Sequence, residues 1–218
     1  MRPINRPLAA LALSVGLIAA MPLLAQLPTD APGKPDKSRI VAGTFVADPS
    51  HSLIAWRVNH MGFNDYFGLF GTVTGTLVLD PAHPEAARVS ASIPVGRITT
   101  VNAALTGQLL KSAPPGGKPP FFGSNPAPAR FVSTSVVPDS DGTSAVVNGN
   151  LTLNGVTRPV SLSATFVGAG PALLTKALTV GFHGKAGIKR SDFGLGGGVP
   201  LVGDQVDLEI TMAFEKKG

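Results

Sequence analysis

A chain of 218 residues with 44% hydrophobic and only 14% charged side chains can bury one sizeable core, and 26 glycines with 20 prolines suit strands and turns better than long helices. The absence of cysteine excludes disulfides, thiol nucleophiles and cysteine-based metal sites. The formal charge of +5 is scattered, without the basic stripe and interleaved aromatics of a nucleic-acid footprint.

Residues 1–25 read as a secretory signal peptide. Arg2 and Arg6 give a basic start, an apolar stretch follows over 8–24, and Leu23-Leu24-Ala25 puts a small residue before the cut. The stretch is long for a signal, interrupted by Pro22 and short for a spanning helix, so an uncleaved anchor is the rival reading. Cleavage near Ala25 implies a periplasmic protein. Residues 26–39 read as a flexible linker, broken by Pro28, Pro32, Gly33 and Pro35 and solvated by Lys34, Asp36 and Lys37. One folded domain is expected over 40–218.

Within that domain the dominant pattern is alternation with period two, which puts one set of side chains on a buried face and the other in water. A short strand is expected over 43–46 and a longer one over 52–60, with Ile54, Trp56, Val58 and His60 on one face. Residues 61–68 break the pattern, and 69–79 resume it. Residues 88–95 alternate with Val89, Ala91, Ile93 and Val95 inward. Leu105, Leu109 and Leu110 then fall at helical spacing behind Thr99 and Thr100, candidate N-caps for a short helix over 102–111. Residues 113–129 hold a cluster of prolines and form a loop, with Phe121 and Phe122 placed to cover a cavity.

A strand over 130–137 precedes the clearest signal in the chain, a hairpin over 146–166. Asn154-Gly155 tolerates the positive φ angles of a two-residue type I′ turn. Val160, Leu162, Ala164 and Phe166 face inward behind it. A strand over 173–184 has Leu178, Val180 and Phe182 inward. A glycine-rich connection over 186–203 carries Lys189, Arg190, Ser191 and Asp192, and 206–214 alternates without error, Ile210 among its inward residues. About eight antiparallel strands with one helical interruption is the count of a closed barrel, whose interior is filled by side chains or holds one small ligand. A two-sheet sandwich has the same alternation.

No catalytic or metal constellation emerges. Asp48, Ser50 and His51 share one turn, too close to align as orienter, nucleophile and base, and no strand-turn-helix elbow surrounds the serine. The odd separation of His51 and His60 points them to opposite faces. Gly194-Leu195-Gly196-Gly197-Gly198 lacks the lysine and the helix of a phosphate loop. The cluster Lys189-Arg190-Ser191-Asp192, beside Ile188 and Phe193, reads either as a barrel-mouth or head-group site or as a salt-bridged loop.

Several stretches in order resemble one known family. They are Asp48-Pro49-Ser50-His51-Ser52, Val58-Asn59-His60-Met61-Gly62, Gly68-Leu69-Phe70-Gly71-Thr72-Val73-Thr74-Gly75 and Phe131-Val132-Ser133-Thr134. Gly149-Asn150-Leu151-Thr152-Leu153-Asn154-Gly155-Val156-Thr157-Arg158-Pro159-Val160 and Ile188-Lys189-Arg190-Ser191-Asp192-Phe193-Gly194 complete the set. Together they resemble the YceI-like proteins, secreted bacterial lipocalin-like barrels that bind polyisoprenoids. The resemblance implies an all-β fold: an extended antiparallel eight-stranded barrel with a short helix near one end. It also implies a non-enzymatic carrier or store of a polyisoprenoid or isoprenoid quinone, with transient membrane contact for lipid exchange and no cofactor. The chain departs from the family at Pro114-Pro115-Gly116-Gly117-Lys118-Pro119-Pro120, where an acidic, aromatic segment is usual, so the cavity mouth and its ligand can differ.

On this reading the ligand's tail meets Ile54, Trp56, Val58, Val89, Ile93, Leu162, Phe166, Val180, Phe182 and Ile210. His60 offers a polar contact at the rim, Phe63, Phe67, Phe121, Phe122 and Phe193 guard the openings, and Lys189 and Arg190 gate or hold the head group. Three rivals stand beside it: a fatty-acid or fatty-amide carrier, an enzyme acting on an isoprenoid lipid, and a filled barrel serving as a protein-interaction module.

Overall fold

The computed structural model describes residues 29–218; the expected signal peptide lies outside them. The strands are β1 (Gly43–Ala47), β2 (Leu53–His60), β3 (Asn64–Phe70), β4 (Thr74–Leu79), β5 (Arg88–Ile93), β6 (Ile98–Thr99), β7 (Ala129–Pro138), β8 (Ser144–Leu153), β9 (Val156–Pro171), β10 (Leu178–Lys189) and β11 (Val202–Lys216), with one α-helix, α1 (Ala103–Leu109). Every pairing is antiparallel. The order β1-β4-β5-β7-β8-β9-β10-β11 closes on itself where Phe45, Val46 and Ala47 of β1 meet Lys216, Glu215 and Phe214 of β11. This is the expected eight-stranded barrel; β2 pairs with the 202–211 stretch of β11, and β3 and β6 follow it in the sheet.

The hairpin over 146–166 forms as its turn chemistry demands. Asn154 and Gly155 take φ of 52° and 76°, and β8 pairs with β9 in unbroken register from Leu153↔Val156 to Ser144↔Thr165. Positive φ also shapes the β2–β3 turn, with Met61 and Gly62 at 55° and 73°, but there three residues separate the paired His60 and Asn64. The expected break over 61–68 is therefore corrected: most of it is strand β3, and the interruption falls at 71–73. The strand expected over 173–184 is shifted as well. Residues 173–177 make the β9–β10 turn, and β10 continues to Lys189 through part of the expected connection.

The helix is capped by Asn102, whose side-chain oxygen accepts the amides of Ala104 and Leu105 at 3.0 and 3.2 Å. Thr99 and Thr100 do not cap it. Thr99 pairs with Leu69 in the sheet, and the Thr100 hydroxyl bonds to the Asn102 carbonyl and the Thr106 hydroxyl. The expected linker is also corrected in part, because the folded unit begins at Pro32. Lys34 exchanges both backbone hydrogen bonds with Ala169 at 3.0 and 2.9 Å, and Lys37–Arg39 forms a 3₁₀ turn capped by Asp36.

Two apolar clusters fill the fold. The larger is built on Phe45, Ile54, Val73, Phe131, Val180 and Phe214. The smaller joins Trp56, Val58, Ile98 and Leu109 under the helix. Half-buried Phe70, Phe122 and Leu208 pack against both.

Candidate functional site

The barrel encloses a cavity of about 710 Å³. Its wall is set by the inward members of alternating strands: Ile54 from β2, Leu77 from β4, Val89 and Ile93 from β5, Phe131 from β7, Val147 and Leu151 from β8. The opposite wall comes from Leu162 and Phe166 of β9, Phe182 of β10, and Ile210 and Met212 of β11. Leu162, Phe166, Phe182 and Ile210 are only half-buried although they point inward, because the cavity itself is open beside them.

One end is the mouth. The Lys37–Arg39 turn, the β4–β5 connection at Pro81 and Pro84, and the β7–β8 turn at 139–143 ring it. Lys37 donates from Nζ to the Asp141 carbonyl across this ring. The Asp139 carboxylate accepts the amides of Thr143 and Ser144, each at 3.1 Å, and Asp141 accepts the Thr143 amide and hydroxyl at 2.7 and 2.6 Å. Those bonds from Thr143 hold the Asp141 carboxyl below its ordinary range. The mouth is thus polar and largely satisfied, and the wall behind it is hydrocarbon.

The other end is closed. Leu208 lines the cavity, and its register partner Trp56 lies in the small cluster beyond it. Trp56 is 7% exposed, and its indole N–H has no acceptor among the described residues. The ring packs over Gly68, where a Cβ would come within 2.2 Å of it, so only glycine fits there. Phe122 packs behind this floor: its amide donates to the Leu109 carbonyl at 3.1 Å, and its ring meets Phe70 edge-on at 6.3 Å between centroids.

The expected site residues divide accordingly. Ile54, Val89, Ile93, Leu162, Phe166, Phe182 and Ile210 line the cavity. Trp56, Val58, Phe121 and Phe122 pack in or against the cluster behind its floor, and Val180 is sealed in the large cluster. His60 is half-buried against Tyr66, edge-on at 4.9 Å. Phe63 and Phe67 are 88% and 59% exposed and stand off the cavity, so as guards of an opening they are corrected: Phe63 lies in the β2–β3 turn, away from the mouth, and Phe67 sits within β3 opposite Arg57.

Arg190 is corrected too. It is 7% exposed, and its guanidinium donates to the carbonyls of Gly203, Gly197 and Val202 at 2.8, 2.8 and 2.7 Å and to that of Leu195. Burial pushes its pKa down. Ser191 donates through amide and hydroxyl to Asp204, which lowers that carboxyl. Phe193 is buried, and Asn154 of the β8–β9 turn donates to its carbonyl at 3.0 Å. The cluster around Arg190 thus ties the 190–204 connection to the closed end, with Arg190 buried and Lys189, Ser191 and Asp192 exposed.

Sequence reasoning passed over Phe131, Val136, Met212 and Phe214 as wall residues, and the mouth residues Lys37, Arg88 and Asp139. Alternation carried a usable signal for the first group. In the second group Lys37 and Asp139 lie in turns, where no periodicity operates, and Arg88 is the first residue of β5, with an exposed side chain. Asp48 and His51 do pair, Nδ1 to Oδ2 at 2.5 Å, and this lowers the Asp48 carboxyl, but the pair sits on an exposed turn that also binds the Ser50 amide.

A family model described as the YceI-like domain matches residues 45–214, most of the barrel. The chain belongs to the YceI-like family. A UPF0312 protein of Pseudomonas paraeruginosa is 34% identical to this YceI-like chain over 192 residues, 88% of either protein. The crystal structure of Burkholderia cenocepacia BcnA shares the fold with a TM-score of 0.63 at 23% identity, over 77% of this chain and 98% of that one. A Saccharophagus degradans structure, described as a polyisoprenoid binding domain implicated in plant cell wall breakdown, shares it with a TM-score of 0.59 at 13% identity, over 81% and 99%. The matched YceI-like region takes in the walls of the cavity from β1 to β11.

Proposed function

We propose that this protein is a non-catalytic periplasmic carrier or store that holds the tail of a long isoprenoid lipid, a polyisoprenoid or an isoprenoid quinone, in its barrel. The observation that carries this reading is a cavity of about 710 Å³ walled by aliphatic and aromatic side chains, with polar groups confined to one end. At roughly 30 Å³ for each water-sized group, that volume takes about two dozen carbon-sized atoms. A branched prenyl tail fits such a wall through hydrophobic burial, at ~0.8 kcal/mol for each CH₂ removed from water. Its head group would stay at the mouth, near Lys37, Arg88 and the 139–143 turn. The polyisoprenoid-binding description of the Saccharophagus degradans neighbour agrees with this choice of ligand.

Mass spectrometry of lipid extracted from the purified periplasmic protein tests the reading. A prenyl-tailed lipid is expected, on a chain that begins near Gln26. Bound fatty acid, or a hydrolysed lipid product, would replace it with one of the rivals. A titration of delipidated protein with a long-tailed isoprenoid quinone gives a second measurement. Trp56, one layer behind the cavity wall, should emit at short wavelength and be quenched saturably. Leu162→Arg sets an unpaired charge in the wall. In a variant shown folded by circular dichroism, quenching should be lost.

A further inference from the structure

We propose that the β9–β10 hairpin and the lysines around it form a docking surface for an anionic lipid bilayer, at the same end of the barrel as the mouth. The β8–β9 pairing ends at Ser144↔Thr165, and β9 runs on to Pro171 beyond it, paired with β10 as far as Leu178. The turn that follows carries Leu173 and Leu174, 47% and 95% exposed. Turn tips are ordinarily polar. Two adjacent leucines held out at one contribute nothing to the core, whereas a side chain that leaves water for a bilayer gains the full transfer free energy.

The turn is well defined: Ala172 and Ala177 are joined by a hydrogen bond of 2.9 Å, and the Lys176 amide donates back to the Ala172 carbonyl at 3.1 Å. Charge selects the partner. Lys176 stands in the turn, Lys216 and Lys217 end the neighbouring β11, and Lys34 lies on β9 at Ala169. Two acids lie nearest the hairpin, Glu215, which accepts the Thr175 hydroxyl at 3.0 Å, and Asp36, which faces Arg39 at 3.7 Å, against the four lysines. Basic side chains around a protruding apolar pair match an anionic headgroup layer over hydrocarbon. Met61, Phe63 and Leu201 make a second exposed apolar tip at the closed end, but the 61–63 turn itself carries no basic residue to meet an anionic headgroup.

The inference rests on the lipid-carrier reading for its purpose, since docking here brings the mouth to the bilayer; the binding itself is measured without cargo. Delipidated protein would be floated with vesicles of phosphatidylcholine mixed with phosphatidylglycerol, and with phosphatidylcholine alone. Binding to the mixed vesicles that weakens with added salt is expected. Leu174→Ser should weaken it roughly tenfold, the Lys176→Glu, Lys217→Glu double variant by at least as much, and Phe63→Ser should leave it unchanged. No flotation on mixed vesicles would overturn the proposal, as would flotation lost in Phe63→Ser but kept in Leu174→Ser. Neither result alters which lipid is extracted from the barrel, so a failure of docking and a failure of the carrier reading are told apart.

Discussion

Arg190 shows how a charged side chain serves as internal scaffolding. Four backbone carbonyls converge on its guanidinium, and the fork geometry of that group meets them where the single ammonium of lysine cannot. Truncation leaves those carbonyls without donors in a half-buried loop, so Arg190→Ala should cost about 3 kcal/mol of unfolding free energy. Arg190→Lys should recover only part of it. Lys189→Ala, at an exposed neighbour, should change stability by less than about 0.5 kcal/mol. Urea denaturation of the three variants measures the contrast. Equal effects at positions 189 and 190 would contradict the assignment.

Among the elements, the proline-rich segment has the most local consequence. It makes neither strand nor helix over 113–128, yet it delivers Phe122 to the packing behind the floor of the cavity. Removing that ring should lower stability by about 2 kcal/mol, less than a fully buried aromatic truncation costs, because Phe122 is half-buried. It should also join the cavity to the space around Trp56. Phe122→Ala is therefore expected to move Trp56 emission to longer wavelength and to retain longer prenyl tails, read by fluorescence and by mass spectrometry of bound lipid. The hairpins behave more simply: β8–β9 and β2–β3 are fixed by two residues at positive φ, and their strands follow in register.

For the whole molecule, acid is the condition that should weaken the barrel. Asp48 is lowered by its bond from His51, Asp204 by the Ser191 hydroxyl and Asp207 by the Arg57 guanidinium, each below the ordinary 3.8. A carboxyl depressed in the folded state contributes stability that is fully present above its unfolded value and is lost as pH falls through the folded one. The urea midpoint should therefore stay level from neutral pH down to about 5 and fall below about 4. Asp204→Asn should flatten that acid limb, because the amide does not titrate. An unchanged limb would remove Asp204 from the account.

The sequence by itself determined the strands' inward faces and the turn at Asn154-Gly155, because alternation and positive φ are local properties. Ile54, Leu162, Phe182 and Ile210 were legible as cavity wall for that reason. Tertiary structure decided everything that depends on position along the barrel axis. Alternation tells which face a side chain takes but not its depth, which comes from the stagger between strands. Thus Ile54 and Trp56 share one face of β2, yet one lines the cavity and the other lies beyond its floor. The two ends were likewise unreadable: Phe122 on Phe70, Asn154 on Phe193, Arg190 on Gly203 and Lys37 on Asp141 join turns that no periodicity relates. Closure of β1 on β11 is what brings those turns together, and it set the mouth at one end and the floor at the other.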